Sequence, residues 1–329
     1  MPRIEPAVTP RKRALFASLK SAYSEGGIPA LREAYIAAAK QNVAIRALWK
    51  SVDVMCPVSR FLDWTVRLND LIADRGYHSA ATRVLDELPL RWESQFSPGS
   101  EEVVRSVPLV LYGNHPSQIT SLILSAALGR ADLRFFSISF FTKFLPSAEP
   151  FVFPLRDSTL RTWRDLLGGG LTHSLALYLL YKVDEEETAP DAREHNRGML
   201  RSAAEHVRGG GSVFIHPMGG TPGWRDWFPG IGVLAQELAQ TAEKHPAYFV
   251  PFHVENESNE RLYALIAASA TPLARVRLRK LDRDPVRIRF GRPARVQEIT
   301  ADSTLSASVL ASLMQQDYLR LFPGADRSR

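Results

Sequence analysis

Val107-Pro108-Leu109-Val110-Leu111-Tyr112-Gly113-Asn114-His115-Pro116-Ser117-Gln118-Ile119-Thr120 carries the strongest architectural signal in the chain. The apolar run from Val107 to Tyr112, closed by Gly113, has the texture of a strand buried on both faces. Ile119 to Leu128 follows as a helix that ends near Gly129. His115 therefore falls in the turn at the carboxyl end of a buried strand, the place where open α/β sheets receive their ligands. A histidine there serves as a general base if a partner fixes its tautomer, or as a structural hydrogen-bonding group. Position alone weighs the two equally.

Downstream the alternation continues. Phe135 to Ile138 and Phe151 to Leu155 read as short strands, and Glu194 to Val207 as an amphipathic helix stopped by Gly209-Gly210-Gly211. Ser212 to Ile215, Tyr248 to Val254 and Val286 to Phe290 read as strands, with a helix over Val233 to Glu243. Strands alternating with helices predict an α/β fold, a mostly parallel or mixed sheet flanked by helices. Upstream the texture is helical: Leu15, Phe16, Leu19 and Tyr23, then Leu31 and Tyr35 after Gly26-Gly27-Ile28-Pro29, then Val58 into the eighties. Ser97-Pro98-Gly99-Ser100 closes that segment. The expected organisation is an N-terminal helical segment over 1–99, an α/β domain over 100–298 and a C-terminal helix over 299–329, capped by Asp302 or Ser303. Lys182 to Asn196, acidic and proline-containing, reads as an exposed insertion.

The chain of 329 residues, 45% hydrophobic and 23% charged, has the composition of a globular protein. Its single cysteine, Cys56, excludes an internal disulfide, fits a reducing compartment and reads as a small core residue. Met1 to Phe16 has basic residues with no apolar run after them, so no secretory leader is expected. Ile119 to Leu128 and Leu171 to Val183 fall short of the ~20 residues that span a bilayer. The net charge is +6. Residues 1–50 hold nine Lys/Arg (Arg3, Arg11, Lys12, Arg13, Lys20, Arg32, Lys40, Arg46, Lys50) against Glu5, Glu25 and Glu33, and nine minus three equals that whole excess. The segment is either a solvated helix face or a surface for anions, among them an anionic membrane.

Several blocks resemble the lysophospholipid and glycerol-3-phosphate acyltransferase family. Asn114-His115-x-Ser117-x-x-Thr120 is similar to its first block, Asn-His-x-Ser-x-x-Asp. Phe151-Val152-Phe153-Pro154-Leu155-Arg156 resembles the second. Phe214-Ile215-His216-Pro217-Met218-Gly219-Gly220-Thr221 resembles the third, normally Phe-Pro-Glu-Gly-Thr-Arg. Trp227-Phe228-Pro229-Gly230, Val250-Pro251-Phe252 and Phe290-Gly291-Arg292-Pro293 resemble stretches that follow in the same order. The likeness covers about residues 100 to 298.

The resemblance implies an acyltransferase of lipid metabolism, specifically phospholipid biosynthesis. Its donor would be acyl-CoA or an acyl carrier protein, and its acceptor a lipid or other hydroxyl. His115 and Thr120 would be catalytic; Asn114, Ser117, Arg156, Gly219, Gly220 and Thr221 would bind substrate. The acyl thioester is a co-substrate, so no cofactor is expected, and the implied location is cytoplasmic, peripheral on the inner membrane face. Three positions depart from the pattern. Thr120 stands where the family has aspartate, Met218 where it has glutamate and Thr221 where it has arginine. Arg225 is close enough in sequence to replace the arginine, and Asp157 and Asp226 are near enough to replace the acid. The alternative is a degenerate member that binds lipid or acyl carrier without chemistry.

The remaining signals are weaker. His216 and His253 end strands on what reads as one face, but no zinc spacing such as His-Glu-x-x-His is present, so no metal is expected. Gly168-Gly169-Gly170 lacks the lysine of a phosphate loop and reads as a linker. Phe135, Phe136, Phe140, Phe141 and Phe144 read as core or as an acyl-chain channel. No nucleic-acid motif accompanies the basic N-terminal segment, and no nucleic-acid partner is expected.

Overall fold

The structure, a computed structural model, describes residues 10–40, 58–88, 90–117, 119–156, 189–218, 226–268 and 283–325, with isolated positions among 43–53 and 276–280. An eight-stranded sheet forms its centre. The strands are β1 (Trp92–Phe96), β2 (Leu109–Gly113), β3 (Leu133–Ile138), β4 (Val152–Leu155), β5 (Ser212–Ile215), β6 (Tyr248–Glu255), β7 (Val286–Phe290) and β8 (Ala294–Arg295). Their order is β1-β7-β6-β2-β5-β3-β4, with β8 paired to β6. β6, β2, β5, β3 and β4 are parallel, while β7 and β8 run antiparallel to β6. The mixed, mostly parallel sheet is thus the one the alternation predicts.

β2 lies between β5 and β6, and every residue in it is buried. Leu109 and Leu111 enter the apolar core on one face, Val110 and Tyr112 the core on the other. This explains why the strand is continuously apolar rather than alternating. The first core is covered by α2 (Val58–Glu87), α4 (Thr120–Leu128) and α8 (Asn259–Ala268). The second is covered by α6 (Ala189–Arg208), α7 (Gly230–Ala239) and α10 (Ala307–Leu321). Short helices α3 (Ser100–Ser106), α5 (Phe140–Phe144) and α9 (Val296–Ile299) complete the set. α1 (Pro10–Lys40) packs on the outer side of α2 through Leu19, Ile28, Leu31, Tyr35 and Leu62.

Four expectations need correction. The 1–99 segment is not helical throughout, because β1 joins the sheet in parallel with β7. Trp92-Glu93-Ser94-Gln95-Phe96 is an edge strand with alternating exposure, so it lacks the apolar run that marks the central strands. Nor does that segment stand apart from the α/β domain expected over 100–298: Leu68, Ile72, Tyr77 and Val84 of α2 belong to the core beneath the sheet. Residues 189–196 of the expected insertion form the start of α6; its remainder, with Cys56, Gly168-Gly169-Gly170 and Leu171 to Val183, lies outside the described residues. Finally α10 is capped by Ser306, whose hydroxyl accepts from the Val309 N–H, whereas Asp302 accepts from the Thr304 N–H in a local turn.

Glycine is required where strands and helices approach most closely. A Cβ on Gly113 would sit 2.0 Å from the Phe252 carbonyl oxygen, and one on Gly232 would sit 1.9 Å from that of Ala307. The first lets β6 close against the end of β2; the second lets α10 lie against α7.

Candidate functional site

Because β2, β5 and β6 are parallel, their carboxyl ends lie on one side of the sheet. Gly113-Asn114-His115 leaves β2 there, and Pro217 and His216 leave β5. Asn114 is buried and does for one more residue what the backbone ladder does below it. Its Nδ2 donates to the Val254 carbonyl at 2.8 Å and its Oδ1 accepts from the Val254 N–H at 2.8 Å. That side chain is committed to holding the turn on β6.

The imidazoles of His115 and His216 stack, with ring centroids 4.3 Å apart and planes 10° from parallel. His216 has Phe214 and Phe252 at its edges, and its Nδ1 lies 3.4 Å from the Gly113 carbonyl. With Nδ1 donating there, Nε2 carries the lone pair; that atom is buried without a hydrogen-bond partner among the described residues. Burial first, and His115 alongside second, hold His216 well below the ordinary histidine range. Two positive rings 4.3 Å apart would repel by about 4 kcal/mol at an effective dielectric constant of 20. His216 is therefore the neutral partner in the stack.

The acid absent from position 120 is not absent from the turn. Ser117 Oγ donates to Glu257 Oε1, and Thr120 Oγ1 lies 3.1 Å from Oε2 and 3.3 Å from Oε1 of the same carboxyl. Glu257 follows β6 after a bend at Asn256, whose φ of 61° is the only positive value at a non-glycine among the described residues. Ser258 Oγ then accepts from the Arg261 N–H at the start of α8, and Arg261 Nη1 donates to the Asn256 carbonyl at 2.8 Å, closing the bend from below. Burial raises the Glu257 carboxyl to about 7, against the lowering effect of the Ser117 and Thr120 hydroxyls and of Arg261. The hydrogen bonds are consistent with that. Thr120 has a single hydroxyl proton, and its shorter bond, at 2.8 Å, is to the Ser117 carbonyl. When that bond holds the proton, the contact to Glu257 is completed by a proton on the carboxyl.

Arg156 leaves β4 on the same side of the sheet. Counting β2-β5-β3-β4, it is three strands from the end of β2, roughly 14 Å at ordinary strand spacing. Its backbone is fixed by α6: the Arg156 N–H donates to Asn196 Oδ1 at 2.7 Å, and Asn196 Nδ2 donates to the Arg156 carbonyl at 2.9 Å. His195 Nε2 meets the Pro154 carbonyl at 2.8 Å.

The turn thus gathers Asn114, His115, Ser117 and Thr120, with Arg156 along the same edge. Gly219, Gly220, Thr221, Arg225 and Asp157 lie outside the described residues, so their expected convergence on this cleft has no counterpart here. Asp226 is exposed. Met218 packs against the second core rather than presenting a polar group. His216 and His253 do not form a pair. His253 points to the opposite face, where its Nδ1 meets the Tyr318 hydroxyl at 2.6 Å and its ring stacks on Phe322. No group of three metal-ligating side chains occurs among the described residues. Phe135 and Phe136 are buried in the two cores, and Phe141 and Phe144 pack at the edge of the first.

Glu257 is the residue that the sequence pattern did not single out. Its local signal is Asn256-Glu257-Ser258 after a strand: an asparagine able to take a left-handed turn, an acid, and a helix-capping serine.

No family model and no curated protein matches the sequence. Among solved structures, the chain is similar to the 1-acyl-sn-glycerophosphate (LPA) acyltransferase PlsC from Thermotoga maritima. The two are 13% identical over 95% of this chain and 93% of that one, with a TM-score of 0.41.

Proposed function

We propose that the protein is an acyltransferase that moves an acyl group from a thioester, acyl-CoA or an acyl carrier protein, to a hydroxyl acceptor of lipid type. The observation that carries the reading is the seating of His115: an imidazole at the carboxyl end of the central strand, stacked on a neutral His216, in a turn that also holds a buried carboxyl. Six sequence blocks in the order of the glycerolipid acyltransferases supply the reaction class.

In this reading His115 removes the proton from the acceptor hydroxyl as its oxygen attacks the thioester carbonyl. The tetrahedral intermediate collapses, the carbon–sulfur bond breaks, and the thiolate takes the proton back from the imidazolium. His216, held neutral, leaves His115 as the ring that accepts the proton. Arg156 offers a cation for an anionic part of a substrate, and the replacement of the motif's glutamate and arginine by Met218 and Thr221 favours an acceptor whose phosphate is held differently or is absent. No helix among the described residues is long and apolar enough to cross a membrane, and a peripheral position on an anionic surface fits the basic N-terminal segment.

Thiol release from palmitoyl-CoA and from a palmitoylated acyl carrier protein tests the reading, with lysophosphatidic acid, glycerol 3-phosphate and 1-hexadecanol as acceptors. Acceptor-stimulated release should appear with at least one pair and fall by about 10²–10⁴-fold in His115→Ala, the usual contribution of a positioned general base. Tight binding of the donor without turnover on any acceptor would instead favour a protein that carries or senses acyl groups.

A further inference from the structure

The turn that holds His115 has an acid, delivered from a distant strand. We propose that Glu257 is the positioning residue for His115: it takes over from β6 the role that a carboxylate at position 120 has in the acyltransferase motif. The inference rests on the acyltransferase reading for its chemistry, but on the structure for its geometry.

Three observations carry it. Glu257 is buried, and its carboxyl engages the hydroxyls of both motif positions, Ser117 and Thr120, that flank the turn after His115. Thr120 is completely buried and has no charge of its own, so it serves as the socket for a carboxyl rather than as the carboxyl. The bend that delivers Glu257 is specifically built: Asn256 takes a left-handed conformation and donates from Nδ2 to the Pro285 carbonyl, and the buried Arg261 clamps the Asn256 carbonyl. Left-handed backbone at a non-glycine residue is held against a cost, and such positions gather at functional sites.

Among the described residues, the groups facing Glu257 are the Ser117 and Thr120 hydroxyls from the His115 turn and the cation Arg261 from α8. As His115 takes up the substrate proton, an ionised Glu257, held on the Ser117 and Thr120 hydroxyls of the same turn, stabilises the imidazolium. The competing explanation is purely structural: Glu257 caps the start of α4, where a carboxylate is favoured by the exposed N–H groups.

The experiment compares wild type, Glu257→Gln, Glu257→Asp and the double variant Thr120→Asp/Glu257→Gln. It reads kcat/KM for thiol release from palmitoyl-CoA across pH 5.5–9, the melting temperature, and the titration of the His115 imidazole by NMR. Glutamine can still cap the helix but has no charge. The expected result is a loss of at least tenfold in kcat/KM for Glu257→Gln with the melting temperature retained or raised. The His115 midpoint should fall by roughly one unit, the equivalent of that factor, and one ionisation should disappear from the pH profile. Glu257→Asp should keep part of the activity, and the double variant, with its acid returned to position 120, should recover severalfold over Glu257→Gln. Activity within threefold of wild type in Glu257→Gln would overturn the proposal. So would a loss with an unmoved His115 titration and no recovery in the double variant, which is the signature of a cap alone. If wild type itself turns over no thioester, the acyltransferase reading fails and the NMR midpoint decides by itself: a shift in Glu257→Gln supports the pairing, and none overturns it.

Discussion

Burial lifts Glu257 to about 7, from 4.5 for an ordinary glutamate, and the consequence for stability has a definite sign. Between pH 4.5 and 7 the folded chain keeps a proton that the unfolded chain has lost, so this group makes the protein less stable as pH rises through that window. The full effect is about 3 kcal/mol. Glu257→Gln removes it, so urea denaturation should show the variant gaining on wild type by up to that amount between pH 4.5 and 8. Parallel stability curves would mean that Glu257 ionises normally. His253 works in the opposite sense: burial lowers it to about 4, so its contribution is lost as pH falls from 6.5 towards 4. At this scale the sequence revealed half the site. His115 stood out through its place after a buried strand, whereas Glu257 is 137 residues from the hydroxyl of Thr120 that it meets, in a turn whose only marks are an asparagine and a serine. Nothing local in the residues around Thr120 signals that its missing charge comes from β6. A lone Thr120→Asp, attractive from the sequence, would instead set a second carboxyl against the buried one.

Among the elements, the central strands were legible because each is a run of apolar residues serving two cores, as in Val110 and Leu111 of β2 or Val213 and Phe214 of β5. Edge strand β1 was not legible, because exposed Glu93 and Gln95 interrupt it, and α8 was not, because Asn259-Glu260-Arg261 begins it with polar residues. The glycine in α7 has its reason only in the packed state. Gly232→Ala would drive a methyl group into the Ala307 carbonyl at 1.9 Å, and α10 would have to withdraw. A loss of about 2 kcal/mol or more is expected by chemical denaturation, in the range for overpacking. Because α10 carries Tyr318, whose hydroxyl meets His253 Nδ1, its withdrawal would also loosen β6 beside the His115 turn. An unchanged stability would show that the two helices are not held at this distance.

For the molecule as a whole, charge and fold are divided along the chain. The excess of positive charge is contained in residues 1–50, while the proposed site is at the carboxyl ends of β2, β5 and β6. If that segment meets an anionic membrane, each basic residue near the surface adds roughly 1 kcal/mol and the attraction is screened by salt. Cosedimentation with phosphatidylglycerol vesicles should therefore be strong at low salt and lost near 0.5 M salt, about a Debye length of 4 Å, while phosphatidylcholine vesicles should capture little. Equal capture by both would assign the charge to an ordinary solvated helix face. The acyltransferase reading turns on His115, and product analysis probes that residue's part in the reaction. Wild type and His115→Ala, matched in melting temperature, are incubated with isotopically labelled palmitoyl-CoA and the acceptor that best stimulates thiol release, and the labelled ester is quantified by mass spectrometry. Labelled ester is expected from wild type and at least a hundredfold less from His115→Ala; equal ester from both proteins, or none from wild type with any acceptor, would overturn the acyltransferase reading.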